Sequence, residues 1–463
     1  MTVSSTPESG PDSTRCTEPG SGPYRSVITG TRVFTGLAGT PPALHLAVSD
    51  LADLTEQHPW QADRQAFGTS WEGSRAARRA AEGEAVERLC GAIAPDAGRI
   101  RYATYEALTR QGVPALDPRE LVLYSARQYA SPGFPFRPFL PDSPAHWIEG
   151  RQVGSDEPVH VPVFLVYTAW QRMPHQGPEP LYAFPAVGGI AAGRTAELAL
   201  LSGLEEVIER DASALWWANA HPLPDLPLPG RLASLTGDAA HSFEVRLVHL
   251  PNDFGVPVLA AGVRSSPEGW LTYGFAARAD PREAAAKALA EAYILQITCR
   301  TLDNPTAAAS WNHDRPSPLK PWRRDRRYLD SYRSDCRDVV EQLCQQQLYL
   351  DRRAADRVAP WSWDLPVGSW ADVPSLPRRS ADVLLAQVEA AGHEVISVDL
   401  TTPEATGAGM RAVRVVVPGT VGAAPAAYPA LGRGRMQSAG VRLGRREGEL
   451  TEEQLNVFPM PHS

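Results

Sequence analysis

Cysteine is scarce. The five present, Cys16, Cys90, Cys299, Cys336 and Cys344, are an odd number with no Cys-x-x-Cys pair, which argues against a disulfide framework and against a thiolate-ligated zinc site. Excess positive charge is missing too. The 45 Lys and Arg stand against 53 Asp and Glu, a formal net charge of −8, so no global basic field exists to hold a nucleic-acid backbone. No apolar run approaches the roughly 20 residues that span a bilayer, and the opening MTVSSTPESG lacks the basic-then-apolar order of a secretory signal. Neither G-x-x-x-x-G-K-[ST] nor G-x-G-x-x-G occurs, which removes the P-loop and dinucleotide-binding readings. These absences predict a cytoplasmic protein with no nucleic acid or membrane as partner. Hydrophobic residues at 43% and charged residues at 21% fit a globular chain.

Residues 1–23 are mostly Ser, Thr, Pro, Gly and Glu, too polar to offset the entropy of ordering, and predict a disordered tail. The rest, 24–463, reads as one α/β (α+β) domain of mixed β-sheets flanked by helices. SRAARRAAEGEAVERLCGA (74–92) predicts a helix with Ser74 as N-cap. The prolines of PGFPFRPFLPDSP (132–144) predict an ordered loop or lid. VHVPVFLVYT (159–168) predicts a strand, and the Gly-rich VGGIAAGRT (187–195) feeds a long helix over 196–217 capped by Thr195. Strands are expected over 256–263 and 269–277, followed by a helix that Asp280 caps and Pro281 begins. The Pro-, Trp- and charge-rich 302–380 reads as a long excursion. A helix ending at Gly392, then a strand, then a further strand in RAVRVVVPGT (411–420) complete the alternation.

Three Ala-rich helices carry internal glutamates. Glu84, Glu87 and Arg88 stand at i, i+3 and i+4, on one helix face. Ser202, Glu206, Glu209 and Arg210 share a face of the second helix, and Lys287 and Glu291 share one of the third. A single Glu-x-x-Glu-Arg is ordinarily a solvated face stabilised by only a few tenths of a kcal/mol per pair. Two copies on apolar helices, GEAVER and EEVIER, point instead to gathered carboxylates. Like charges resist joint ionisation unless cations intervene. Arginines could supply those cations, and so could magnesium, a hard ion that takes carboxylate oxygens and phosphates.

IAAGRTAELALLSGLEEVIERDASALWW together with GEAVER resembles the YcaO family. Its ATP-binding motifs have the forms S-x-x-E-x-x-E-R, Q-x-x-x-E-x-x-E-R and R-x-x-x-E. Carried over, the first falls on Ala81, Glu84, Glu87 and Arg88, the second on Ser202, Glu206, Glu209 and Arg210, and the third on Lys287 and Glu291. Every glutamate is kept, while alanine, serine and lysine replace the leading residues. A Gly-Lys-Gly loop is replaced by Gly68-Thr69-Ser70. GHEVISVDLT, VRVVVPG and PALGRGRM are similar to the azole-forming members, and the tail 456–463 resembles their proline-rich C-terminus, with Pro459 and Pro461 kept and Val457 and His462 departing.

The resemblance implies a YcaO-like fold, ATP and Mg2+ as cofactors, and cyclodehydration of a ribosomally made precursor peptide, in which Cys, Ser or Thr becomes an azoline. It assigns ATP binding to Glu84, Glu87, Arg88, Ser202, Glu206, Glu209, Arg210, Lys287 and Glu291, metal binding to Glu84, Glu87, Glu206 and Glu209, and a catalytic role to the tail residues Pro459, Pro461 and His462. It also implies a homodimer and a separate E1-like or ThiF-like leader-peptide-binding partner, since no segment is left over for that domain. A thioamide- or amidine-forming activity, and a non-catalytic YcaO-like partner protein, are the alternatives.

Overall fold

The computed structural model describes residues 27–462 apart from 38, 54–62, 94–95, 171–178, 186–187, 238–241 and 311–316. The expected tail 1–23 and Cys16 lie outside the described residues. The other four cysteines are free and buried.

Three antiparallel sheets carry the chain, and each receives one of the Ala-rich helices. The first joins β1 (Ile28–Thr35), β2 (His45–Leu51) and β3 (Gln65–Ser70), with helix α1 (Ser74–Ala92) across it. The second is six-stranded. Its order is β4 (Ile100–Ala103), β5 (Ala145–Gln152), β11 (Ile396–Asp399), β12 (Arg411–Val416) and β7 (Ile190–Gly193), with β6 (Pro158–Pro162) paired to β5. Helix α2 (Ala196–Asn219) packs on its β12–β7 end. The third sheet runs β10 (Leu271–Ala277), β9 (Val258–Ser265), β8 (Phe243–His249) beneath helix α3 (Pro281–Leu302).

Glycine sets the helix-to-sheet distance in the first and third sheets. A Cβ on Gly68 of β3 would stand 2.1 Å from Ala81 N of α1, and one on Gly274 of β10 would stand 2.1 Å from Ala288 O of α3. No side chain fits there, so strand and helix backbones touch, and the alanines facing them are the residues small enough to allow it. Close contact of this kind fixes the rotation of each helix, and with it the direction in which the glutamates project.

The caps explain two of the three helix starts. Thr195 accepts a hydrogen bond from Leu198 N at 3.2 Å, and Asp280 accepts one from Arg282 N at 2.8 Å. The expected Ser74 cap is corrected: Ser74 is the first helical residue, Gly73 precedes it, and the Ser74 hydroxyl pairs with His45 Nδ1 at 3.0 Å. The strand expected over 159–168 stops at Pro162, where Val163–Leu165 turn into a short 3-10 helix that buries Val163 and Phe164. The segment 302–380 also differs from its expected form. Its Arg and Asp residues pair locally at the surface, for example Arg323 with Asp325 and Arg333 with Asp335. Its Tyr328, Tyr332, Val339, Leu348 and Tyr349, by contrast, enter the largest core cluster beside Trp217, Tyr273 and Phe458.

Asp211, fully buried on α2, receives the Arg435 guanidinium on both carboxylate oxygens and Val421 N at 2.8 Å, and so anchors the 417–436 loop. Asp211→Ala strands the Val421 N–H and leaves the buried Arg435 guanidinium only Asp253 at 3.2 Å, and is expected to cost about 2–3 kcal/mol. A urea midpoint that implies a change below about 1 kcal/mol would contradict this account.

Among the described residues no helix is long and apolar enough to cross a membrane.

Candidate functional site

The segment Gly188–Gly193 runs between α1 and α2 and ties their carboxylates together through its backbone. Ala192 N donates to Glu87 Oε1 at 2.9 Å, and Gly189 N donates to Glu206 Oε2 at 2.9 Å. Only glycine serves at 189: its φ is +91°, and a Cβ there would meet Val415 O at 2.6 Å. Arg88 pairs with Glu84 at 2.8 Å and reaches Asp63 on its other side.

On α2, Arg210 lies 3.6 Å from Glu206 and 3.7 Å from Glu209, and Ser202 stands one turn before Glu206, half-buried on the same face. Glu291 of α3 accepts Phe275 N at 3.0 Å. Lys287, exposed one turn earlier on α3, acts electrostatically on both Glu209 and Glu291. The structure thus gathers the expected residues of three helices around one centre.

Titration behaviour follows from that crowding. Burial raises the Glu87 pKa well above the ordinary carboxylate value, and Glu84 and Glu206 push it further up. Burial also lifts Glu209 to about 7, with Lys287 and Arg210 opposing and Glu291 and Glu206 adding. For Arg210, burial disfavours the charge, but Glu209, Glu206 and Glu291 outweigh it and keep its pKa above the usual value. The gathered carboxylates form an oxygen-only donor set, which suits a hard divalent cation. Among the described residues no three His, Cys, Asp or Glu side chains already converge as tightly as in a formed metal centre.

The C-terminal tail enters this centre. His462 is only 1% exposed. Arg210 donates to its Nε2, and its Nδ1 lies 2.9 Å from Tyr273 O, which makes Nδ1 the protonated nitrogen. Burial, and then the Arg210 charge, lower its pKa to about 4. Pro459 and Pro461 are buried; their carbonyls accept from Tyr349 Oη at 2.7 Å and from Tyr273 N at 2.8 Å.

Sequence reasoning missed several members. Arg414 of β12 is buried and faces Glu206; burial lowers its pKa to about 10 and Glu206 opposes the drop. A lone arginine inside the apolar RAVRVVV was the available signal. Gln345 donates to His462 O at 3.0 Å, yet nothing in 302–380 marked it. Glu205, beside Glu206 in the same motif, points away from the centre into a separate ion pair with Arg278 and Arg379 at 2.7 Å.

Known proteins are similar to this chain. A protein of Methanothermobacter thermautotrophicus, described as uncharacterized, is 30% identical over 184 residues, 38% of this chain and 44% of its own. A heterocyclase solved in complex with substrate and cofactor superposes with a TM-score of 0.67 at 21% identity, over 96% of this chain and 58% of that one. YcaO from Methanopyrus kandleri, solved with AMPPCP and Mg2+, superposes with a TM-score of 0.56 at 19% identity, over 86% of this chain and 87% of that one. The chain spans about half the length of the curated relatives it matches. The profile of the YcaO cyclodehydratases, described as ATP- and Mg2+-binding, matches residues 72–421, so three quarters of the sequence carries the pattern. This chain belongs to the YcaO cyclodehydratase family.

Proposed function

We propose that the chain is an ATP- and Mg2+-dependent cyclodehydratase that activates backbone amides of a ribosomally made precursor peptide and converts Cys, Ser or Thr into azolines. The observation that carries this reading is the meeting of carboxylates from three helices with Arg210 and the buried chain end at His462. Glu84, Glu87, Glu206 and Glu209 would hold the metal, with Ser202, Glu291, Arg88, Arg210 and Lys287 around the nucleotide. Bound Mg2+–ATP supplies the phosphoryl group that makes the amide oxygen a leaving group.

The chain's own residues then have three tasks. They orient the amide so that the substrate thiol or hydroxyl reaches the preceding carbonyl carbon. They stabilise the oxygen that gains charge, a task for Arg210 and Arg414. They also keep water out, which the buried Pro459, Pro461 and His462 do by filling the space beside α2. The partners are the precursor, a separate E1-like leader-peptide-binding protein, and a second copy of the chain.

One assay tests the reading: ATP hydrolysis and precursor mass, with and without the presenting partner and candidate precursors. Loss of one water per ring, coupled to ATP hydrolysis, supports it. A gain of sulfur mass would assign thioamide formation, and unbound, unhydrolysed ATP would assign a non-catalytic partner.

A further inference from the structure

A cavity of about 130 Å³ lies against the Arg210 side of the carboxylate centre. Its lining includes Arg210, Arg414, Tyr124, Phe184, Tyr428 and Val415. Gly188, another lining residue, stands next to the carboxylates. A Cβ there would sit 3.1 Å from Arg210 Cγ and 3.6 Å from Glu206 Oε1. The rim is Gly422, exposed, with Ala423 and Ala424 partly exposed.

Two polar groups of the walls are already paired, and most of the other lining residues contribute rings or aliphatic groups. Phe184 N donates to the Tyr124 hydroxyl at 3.0 Å, and the Thr420 hydroxyl donates to Val417 O at 2.7 Å. What the walls present inward is therefore mostly rings and methyls. The rings are held from behind: Tyr124 stacks on Phe136 at 4.9 Å, and Phe136 meets Tyr428 edge-on at 5.1 Å. This gives the 132–144 loop a purpose as the buttress of the cavity.

We propose that this cavity receives the side chain of the precursor residue that immediately precedes the reacting Cys, Ser or Thr, and that it takes an aliphatic or aromatic one in preference to a cationic one. The inference rests on the cyclodehydratase reading. The carbonyl to be activated belongs to that preceding residue, so a carbonyl near Arg210 puts its side chain within reach of these walls. A lysine there would meet Arg210 and Arg414 with no carboxylate among the lining residues.

The test uses the full chain and the photoreactive peptide acetyl-Gly-photoleucine-Cys-Gly-amide, with cross-links mapped by mass spectrometry. Labelling is expected within 121–124, 183–184 and 415–430. The Leu or Phe analogue should compete at least about tenfold better than the Lys analogue, the scale of pocket discrimination. Ala424→Trp, which fills the cavity from its rim, should cut labelling by about tenfold or more and leave the thermal shift induced by Mg2+–ATP unchanged. Labelling elsewhere or absent, equal competition by Lys, indifference to Ala424→Trp, or displacement by a non-hydrolysable ATP analogue would each overturn the assignment. A protein that binds ATP and forms azolines but labels elsewhere would refute the cavity alone. Failure to bind ATP at all would remove the underlying reading.

Discussion

Glu209→Gln is expected to lower ATP-dependent turnover by about 10³-fold, and at the same time to make the metal-free protein more stable at pH 8. The first half follows from the proposed role. Removing a carboxylate that would hold Mg2+, the ion that neutralises phosphate in the transition state, costs several kcal/mol, and neutral glutamine cannot replace it. The second half follows from burial. The Glu209 carboxyl titrates near 7 in the fold against 4.5 in the unfolded chain, so the folded state holds the proton more tightly. That advantage is complete below pH 4.5 and is lost as pH rises through 7, leaving a buried charge that opposes folding by roughly 2–3 kcal/mol at pH 8. Glutamine is neutral throughout. The variant should therefore match wild type near pH 4 and exceed it at pH 8 by that amount, in urea denaturation without Mg2+. Added Mg2+–ATP should then stabilise wild type and not the variant. Glu206→Gln should lose turnover to a similar extent. Wild-type turnover in both variants would refute the assignment, and a less stable Glu209→Gln at pH 8 would refute the account of burial.

How far the site was legible depends on the range of the interaction that builds it. Glu84, Glu87, Glu206, Glu209 and Glu291 could be read because helix periodicity is a local property, and Thr195 and Asp280 could be read as caps because a cap bonds within three residues. Ser74 failed as a cap because His45, far off in sequence, takes its hydroxyl. Arg414, Gln345 and Tyr349 were hidden for the same reason: each acquires its role from a partner 110 or more residues away, Glu206, His462 and Pro459 respectively. The segment 302–380 misled because its surface ion pairs dominate its composition while its tyrosines and leucines carry the packing. The close approach of β3 to α1 at Gly68 was likewise invisible, since a strand glycine has no signature of its own until the helix above it is placed.

His462→Ala is expected to reduce azoline formation by at least about 10²-fold, the scale on which misplacing a catalytic group lowers rate, and to cost roughly 2–4 kcal/mol of stability by leaving Tyr273 O without its donor and a void against Phe275. Deleting the whole tail would be less clean still. Trp217 Nε1 donates to Phe458 O and Tyr349 Oη to Pro459 O, each at 2.7 Å, while Arg357 lies 4.2 Å from the Phe458 ring centre. Removing residues 457–463 would leave these groups unsatisfied and open a void beside Tyr349. The single substitution isolates the imidazole. With a pKa of about 4, His462 is neutral at pH 7, so its Nε2 lone pair is available to Arg210 while Nδ1–H is held by Tyr273 O. The arrangement makes the chain end a fixed acceptor that aims Arg210 at the centre. His462→Gln, whose amide can accept from Arg210 and donate to Tyr273 O, should therefore retain most of the activity, and the wild-type rate should stay flat between pH 6 and 8 as far as His462 governs it. A base acting through His462 would behave otherwise, losing activity equally in Gln and Ala variants. Ring formation is read as loss of water mass from the precursor at saturating ATP. Equal rates for wild type and His462→Ala would show that the buried tail serves the fold and not the reaction.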